Sequence, residues 1–77
     1  MPLFHFVAVV DGEVADAEGG GEFSTLAAAR VAAREALGKI AAQRLAAGEC
    51  EFISVEIFDA VKTPLTEIRI EVREIPK

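Results

Sequence analysis

The chain has 77 residues, 52% of them hydrophobic, a mean hydropathy of +0.34 and a formal net charge of −5. That length holds one domain, residues 1–77, at the small end of what folds alone. The acidic balance lacks the basic footprint of a nucleic-acid binder, the single cysteine, Cys50, builds no disulfide framework, and no apolar run approaches the roughly 20 residues of a membrane span.

Leu3 to Val10 reads as the first strand. Phe4, Phe6, Ala8 and Val10 share one face; Leu3, Val7 and Val9 share the other with His5. A strand apolar on both sides is usually central and covered twice. Asp11-Gly12 is a two-residue hairpin signal of type I′. It returns the chain through Glu13-Val14-Ala15-Asp16, a short acidic strand suited to a sheet edge. Asp16 to Glu22, with glycines at 19, 20 and 21, then reads as a flexible, solvated connection.

Ser24 to Gly48 carries the strongest signal, that of one long helix. Ten of the residues from Thr25 to Ala47 are alanine, the best helix former. Ser24 suits the N-cap, and Phe23 stands where a staple residue would pack on Leu26 or Ala28. Gly48 suits the left-handed position that ends a helix, and Gly38 is its weak interior point. At about 100° per residue, Leu26, Ala29, Ala33, Ala36, Leu37 and Ile40 fall on one side. Glu35 and Lys39 fall on the opposite side, four residues apart. The helix carries a charge of +3 and the rest of the chain −8, which predicts attraction between helix and sheet.

Glu51 to Phe58 reads as the third strand. Ile53, Val55 and Ile57 share one face; Phe52, Ser54, Glu56 and Phe58 share the other. Asp59 to Pro64 connects it to Thr66–Ile75, where Ile68, Ile70 and Val72 alternate with Glu67, Arg69, Glu71 and Arg73. The expected fold is α+β with the order ββαββ. One long helix, about 24–47, packs on a four-stranded, mostly antiparallel sheet. A central first strand favours the strand orders 2-1-3-4 or 2-1-4-3.

Several of these segments also carry a likeness. They are the opening Met-Pro-x-Phe-x-Phe, the turn Asp11-Gly12, the segment Asp16-Ala17-Glu18-Gly19 and the helix start Leu26-Ala27-Ala28-Ala29-Arg30 with Ala33 and Glu35. Together they resemble a family of short bacterial proteins of unknown function, similar in length and element order over nearly the whole chain. The family commonly has an Asp-x-x-Gly turn between its last two strands. Asp59-Ala60-Val61-Lys62-Thr63-Pro64 has no glycine, so that turn is expected to be built differently. The resemblance implies no activity and no functional residues.

Chemistry-bearing residues are few. His5 is the only histidine and sits among apolar neighbours without ligand partners at a recognisable spacing. Cys50 follows a helix C-terminus, whose dipole disfavours a thiolate. The Asp16–Glu22 segment lacks the oxygen spacing of a calcium loop and the Gly-Lys-[Ser/Thr] of a phosphate loop. No cofactor, metal site or enzymatic activity is expected. A site shared across a dimer by Asp16, Glu18 and His5 is the remaining enzymatic alternative.

Two surfaces are candidates for function. Phe4, Phe6, Phe52 and Phe58 either gather on the sheet face away from the helix and mediate self-association, or belong to the core; the pattern does not say which face the helix takes. Arg30, Arg34 and Arg44 form a candidate basic stripe for phosphate or an acidic partner. The favoured reading is a non-catalytic interaction or accessory module that forms homodimers or larger assemblies. A nucleic-acid-binding regulator using the arginines is the alternative. The start of the chain has no basic stretch or cleavage site, so no signal peptide is expected, and cytoplasm is the default compartment.

Overall fold

Five elements follow one another along the chain: β1 (Leu3–Val10), β2 (Glu13–Glu22), α1 (Leu26–Ala47), β3 (Phe52–Phe58) and β4 (Pro64–Glu71). They are seen in a computed structural model that describes residues 1–48 and 50–77. The strands form one open sheet in the order β2-β1-β3-β4, and every neighbouring pair is antiparallel. The single helix packs on one face, so the fold is α+β, as the hydrophobic pattern predicts. β1 lies at the centre, which is what its two apolar faces require.

The β1–β2 turn is a two-residue one in which Asp11 and Gly12 both have positive φ, 51° and 86°, as a type I′ turn demands. Beyond it β2 departs from expectation. It does not stop at Asp16 but runs ten residues to Glu22, and the glycine segment is strand, not loop. The reason is close fit against β1. Gly19 lies opposite Phe6, where an added Cβ would sit 3.3 Å from the Phe6 Cβ. Gly20 lies opposite His5 with φ 121°, and a Cβ there would collide with the Phe4 carbonyl oxygen. These glycines let β2 lie against a phenylalanine-bearing strand that larger residues would push away. The register breaks twice, between Phe6 and Ala8 and between Ala8 and Val9. At the first break the Asp16 carboxylate accepts the Glu18 N–H at 2.9 Å.

The N-cap of α1 is Thr25, one residue later than Ser24. Its backbone is extended and its hydroxyl oxygen accepts the Ala28 N–H at 3.1 Å. At the other end Gly48 is left-handed (φ 89°) and donates its N–H to the Leu45 carbonyl. The helix runs unbroken through Gly38. Its buried residues are Ala29, Ala33, Leu37 and Ala41, a strict four-residue row. Such a row slants about 26° to the helix axis. The contact line therefore drifts, leaving Leu26 exposed at the start and taking up Ala41 near the end. Three of these four are alanine, so the helix axis comes close to the sheet.

The core consists of that row against Phe4, Phe6 and Ala8 of β1 and Ile53, Val55 and Ile57 of β3. Phe23, just past β2, stacks on Phe6 at 5.8 Å between centroids and tilts against Phe4 at 6.2 Å. It closes the flank of the core beside the glycines. The expected charge attraction between helix and sheet makes no direct ion pair among the described residues. Among the described residues the one ion pair is Arg69–Glu67 at 2.8 Å, within β4, and the helix is attached by apolar packing.

The β3–β4 turn is closed without a glycine. The Asp59 carboxylate accepts the N–H groups of Val61 (3.0 Å) and Thr63 (2.8 Å), and Lys62 itself adopts the left-handed conformation (φ 65°). Lysine thus occupies a position that suits glycine. β4 begins at Pro64 and ends at Glu71, four residues short of Ile75. Glu71 pairs with Phe52, the first residue of β3, so beyond it the ladder has no partner strand. A last bond, from the Val72 N–H to the Glu51 carbonyl at 2.8 Å, closes that end.

Candidate interaction surface

Strand residues alternate between the two faces of a sheet, so the register assigns each one. Phe4, Phe6, Ala8 and Val10 face α1 with Ile53, Val55, Ile57, Thr66, Ile68 and Ile70. The opposite face carries Leu3, His5, Val7 and Val9 from β1, Phe52, Ser54, Glu56 and Phe58 from β3, and Glu67, Arg69 and Glu71 from β4. Val14 of β2 pairs with Val9 and joins it. No element of the described chain covers this face.

The four phenylalanines expected to form one surface are split two and two. Phe4 and Phe6 are buried under the helix, 6% and 7% exposed, with glycines opposite them in β2 and the Phe23 ring packed against both. Phe52 and Phe58 stand at the two ends of β3 on the uncovered face, both half-buried. Phe58 lies opposite His5, and the Phe52 ring carries the Arg69 guanidinium 4.6 Å from its centroid. The apolar part of this face is therefore built on aliphatic residues: Val7 and Val9 are half-buried, and Val14 is 64% exposed.

The uncovered face has two halves. The β2–β1 side is apolar around Val7, Val9 and Val14. The β4 side is charged. There Glu56 lies directly opposite Glu67, an unfavourable like-charge pair that Arg69 offsets by donating from Nε to the Glu67 carboxylate at 2.9 Å. Ser54 lies between them in register with Val9 and Arg69 and is buried (1%) on a face that no helix covers.

The arginines of the candidate stripe are all exposed. Arg30 and Arg34 are one turn apart. Arg44 lies about 15 Å further along the axis. It lines an open depression of about 350 Å³ with Val10, Asp11, Glu13, Val14 and Ala15, at the tip of the first hairpin. Asp11 there is the residue that the sequence reading undervalued. Its Oδ1 accepts the N–H groups of Glu51 (2.8 Å) and Phe52 (3.0 Å), and its own N–H donates to the Phe52 carbonyl (3.0 Å). These bonds, with the nearby Arg44, hold its carboxyl below the ordinary aspartate range. Asp-Gly announces the turn, but nothing in the pattern announces a partner forty residues away.

The remaining candidates lie apart. His5 is on the uncovered face opposite Gly20, whereas Asp16 is in register with Ala8, a helix-side residue. The three residues of the shared-site alternative are thus not gathered within one chain. Cys50 is half-buried; burial and the carboxylates of Asp11 and Glu51 push its thiol up against the opposing Arg44. Among the described residues no group of three or more His, Cys, Asp or Glu is arranged to hold a metal ion, and no helix is long and apolar enough to cross a membrane.

Comparison with protein families gives a match over residues 3–71 to a model described as a domain of unknown function (DUF6894). Comparison with curated proteins and with solved structures gives no match.

Proposed function

The chain belongs to this family of domains of unknown function, and we propose that it is a non-catalytic module that self-associates through the uncovered face of its sheet. In this reading it serves as an interaction or accessory protein of the cytoplasm. One observation carries the proposal. The central strand β1 has Val7 and Val9 on the face away from α1, in register with β3 and next to the exposed Val14. Apolar residues on the outer side of a central strand gain when a second layer covers them. The occupant proposed is a second copy of the same chain. A two-fold contact sets the apolar β1–β2 half of one copy against the same half of the other and leaves the charged β4 side at the rim.

The test is the mass in solution at high micromolar concentration, by light scattering or sedimentation, for the wild-type chain and for Val9→Lys. The proposal expects association that Val9→Lys weakens while the circular dichroism spectrum stays unchanged. A wild-type chain that remains strictly monomeric overturns it. The arginine reading is weaker, because Arg44 is separated from Arg30 and Arg34 and shares its depression with two acids. Binding to mixed DNA or RNA in a low-salt titration, where electrostatic affinity is greatest, would favour it instead.

A further inference from the structure

We propose that β4 is a second self-recognition element, through which two copies join edge to edge in the one antiparallel register that sets Ile70 against its own counterpart. This contact uses a strand edge and not the sheet face, so it stands or falls separately from the proposal above.

The strand order leaves two edges, β2 and β4. Unpaired edges offer a row of free N–H and C=O groups to another strand. The two edges differ. The register of β2 breaks twice, and its charged residues, Glu13, Asp16, Glu18 and Glu22, all have one sign. A second copy would meet both irregular spacing and repulsion there. β4 keeps an unbroken ladder from Glu71 opposite Phe52 to Thr66 opposite Ile57. Its charges alternate along the chain as Glu67, Arg69, Glu71 and, just past the strand, Arg73.

The hydrogen-bond directions decide which residues meet. The Phe52 carbonyl accepts from Asp11, so it points to the β1 side, and the Glu51 carbonyl accepts from Val72, so it points to the β4 side. Along an antiparallel ladder these directions alternate. Thr66, Ile68 and Ile70 therefore turn their backbone groups towards β3, and Glu67, Arg69 and Glu71 turn theirs outwards. An added strand must bond outward residues to outward residues. A two-fold axis at Glu67, Arg69 or Glu71 brings that residue against itself, a like-charge clash. An axis at Ile68 pairs Glu67 with Arg69 but leaves Glu71 opposite Leu65.

An axis at Ile70 pairs each of the four outward-turned charges, Glu67, Arg69, Glu71 and Arg73, with one of opposite sign. It sets Arg69 against Glu71 and Glu67 against Arg73, each twice by symmetry, on the uncovered face. On the helix side it sets Ile70 against Ile70 and Ile68 against Val72. Ile70, 36% exposed in the single chain, is covered. The alternation along β4 is thus complementary to itself when read in reverse, and the sheet continues through eight strands.

The experiment uses the full chain carrying Val9→Lys, so that the face contact is removed, and reads dimerisation by sedimentation and native mass spectrometry. This background is expected to dimerise. Adding Arg69→Glu sets acid against acid, and adding Glu71→Arg instead sets base against base. Each is expected to weaken the dimer about tenfold or more. Mixing the two variants is expected to restore a heterodimer to within about threefold of the parent, because every pair is again opposite in sign. Glu67→Arg and Arg73→Glu repeat the test at the other end of the register, should either of the first pair fail to fold by circular dichroism. A monomeric background, an Arg69→Glu variant that dimerises unchanged, or a mixture that is not restored overturns the proposal. So does a Glu71→Arg variant without effect, since that outcome moves the axis to Ile68.

Discussion

Asp11 and Phe52 hold each other by hydrogen bonds in both directions: the Asp11 carboxylate accepts the Phe52 N–H, and the Asp11 N–H donates to the Phe52 carbonyl, both at 3.0 Å. The same carboxylate oxygen also takes the Glu51 N–H. A residue in a hairpin turn therefore pins the start of the third strand beside the end of the first.

Removing the carboxylate should loosen that corner. Asp11→Ala is expected to lower Tm, and Asp11→Asn much less, because Asn keeps an acceptor oxygen and tolerates a left-handed backbone. The folded state holds this carboxyl below its ordinary range. Its contribution is therefore present above the unfolded-state value and lost as pH falls through the folded-state value. Thermal melts across the acid range should show the gap between wild type and Asp11→Ala narrowing towards low pH. A gap independent of pH would refute the assignment.

Two glycines should respond to alanine with opposite signs. At Gly20 the added Cβ meets the Phe4 carbonyl on a backbone of positive φ. Gly20→Ala should destabilise by about 2 kcal/mol or more. At Gly38 the helix is exposed and the space is open. Gly38→Ala should stabilise by about 0.5–1 kcal/mol. Urea unfolding of the two variants measures both.

Lys62 keeps a left-handed conformation that lysine adopts at a cost. Lys62→Gly is expected to raise stability by roughly 0.5–1 kcal/mol, since glycine reaches that region without a Cβ penalty but loses more chain entropy on folding. An unchanged or lower urea midpoint would show that the lysine side chain compensates.

The split of the phenylalanines predicts two different phenotypes. Phe6→Ala removes a buried ring stacked on Phe23 and should cost about 3–5 kcal/mol, enough to threaten folding in so small a chain. Phe58→Ala lies on the uncovered face and should cost less stability. Denaturation curves for both, followed by the solution mass of Phe58→Ala, separate a core role from a surface role.

The sequence made the elements, their order and the centrality of β1 readable, because each rests on local periodicity or on one strand's own composition. What it concealed are relations between segments. The glycine run looks like a loop until Phe4 and Phe6 are seen lying across it. Phe23 reads as a helix staple, and only the folded chain shows its ring stacked on Phe6. The N-cap moved by one residue because Ser24 and Thr25 have the same chemistry and only backbone geometry chooses between them. The phenylalanine grouping failed for a simpler reason. A strand apolar on both sides does not say which side its helix will take, and here the helix took the side with the larger rings.

The position of β1 between β2 and β3 also sets the order of events in folding. Its hairpin with β2 closes over two residues and can form within microseconds. Its other edge must wait for β3, whose residues pair with it across some forty or more positions of intervening chain. That distant closure dominates the entropy of the search, and non-local pairings of this kind slow folding. Until it occurs, Phe4, Phe6 and Ala8 have no Ile53, Val55 or Ile57 beside them, and the half-made sheet shows its stickiest strand to other molecules. The interval before β3 docks is therefore when this chain is most exposed to aggregation.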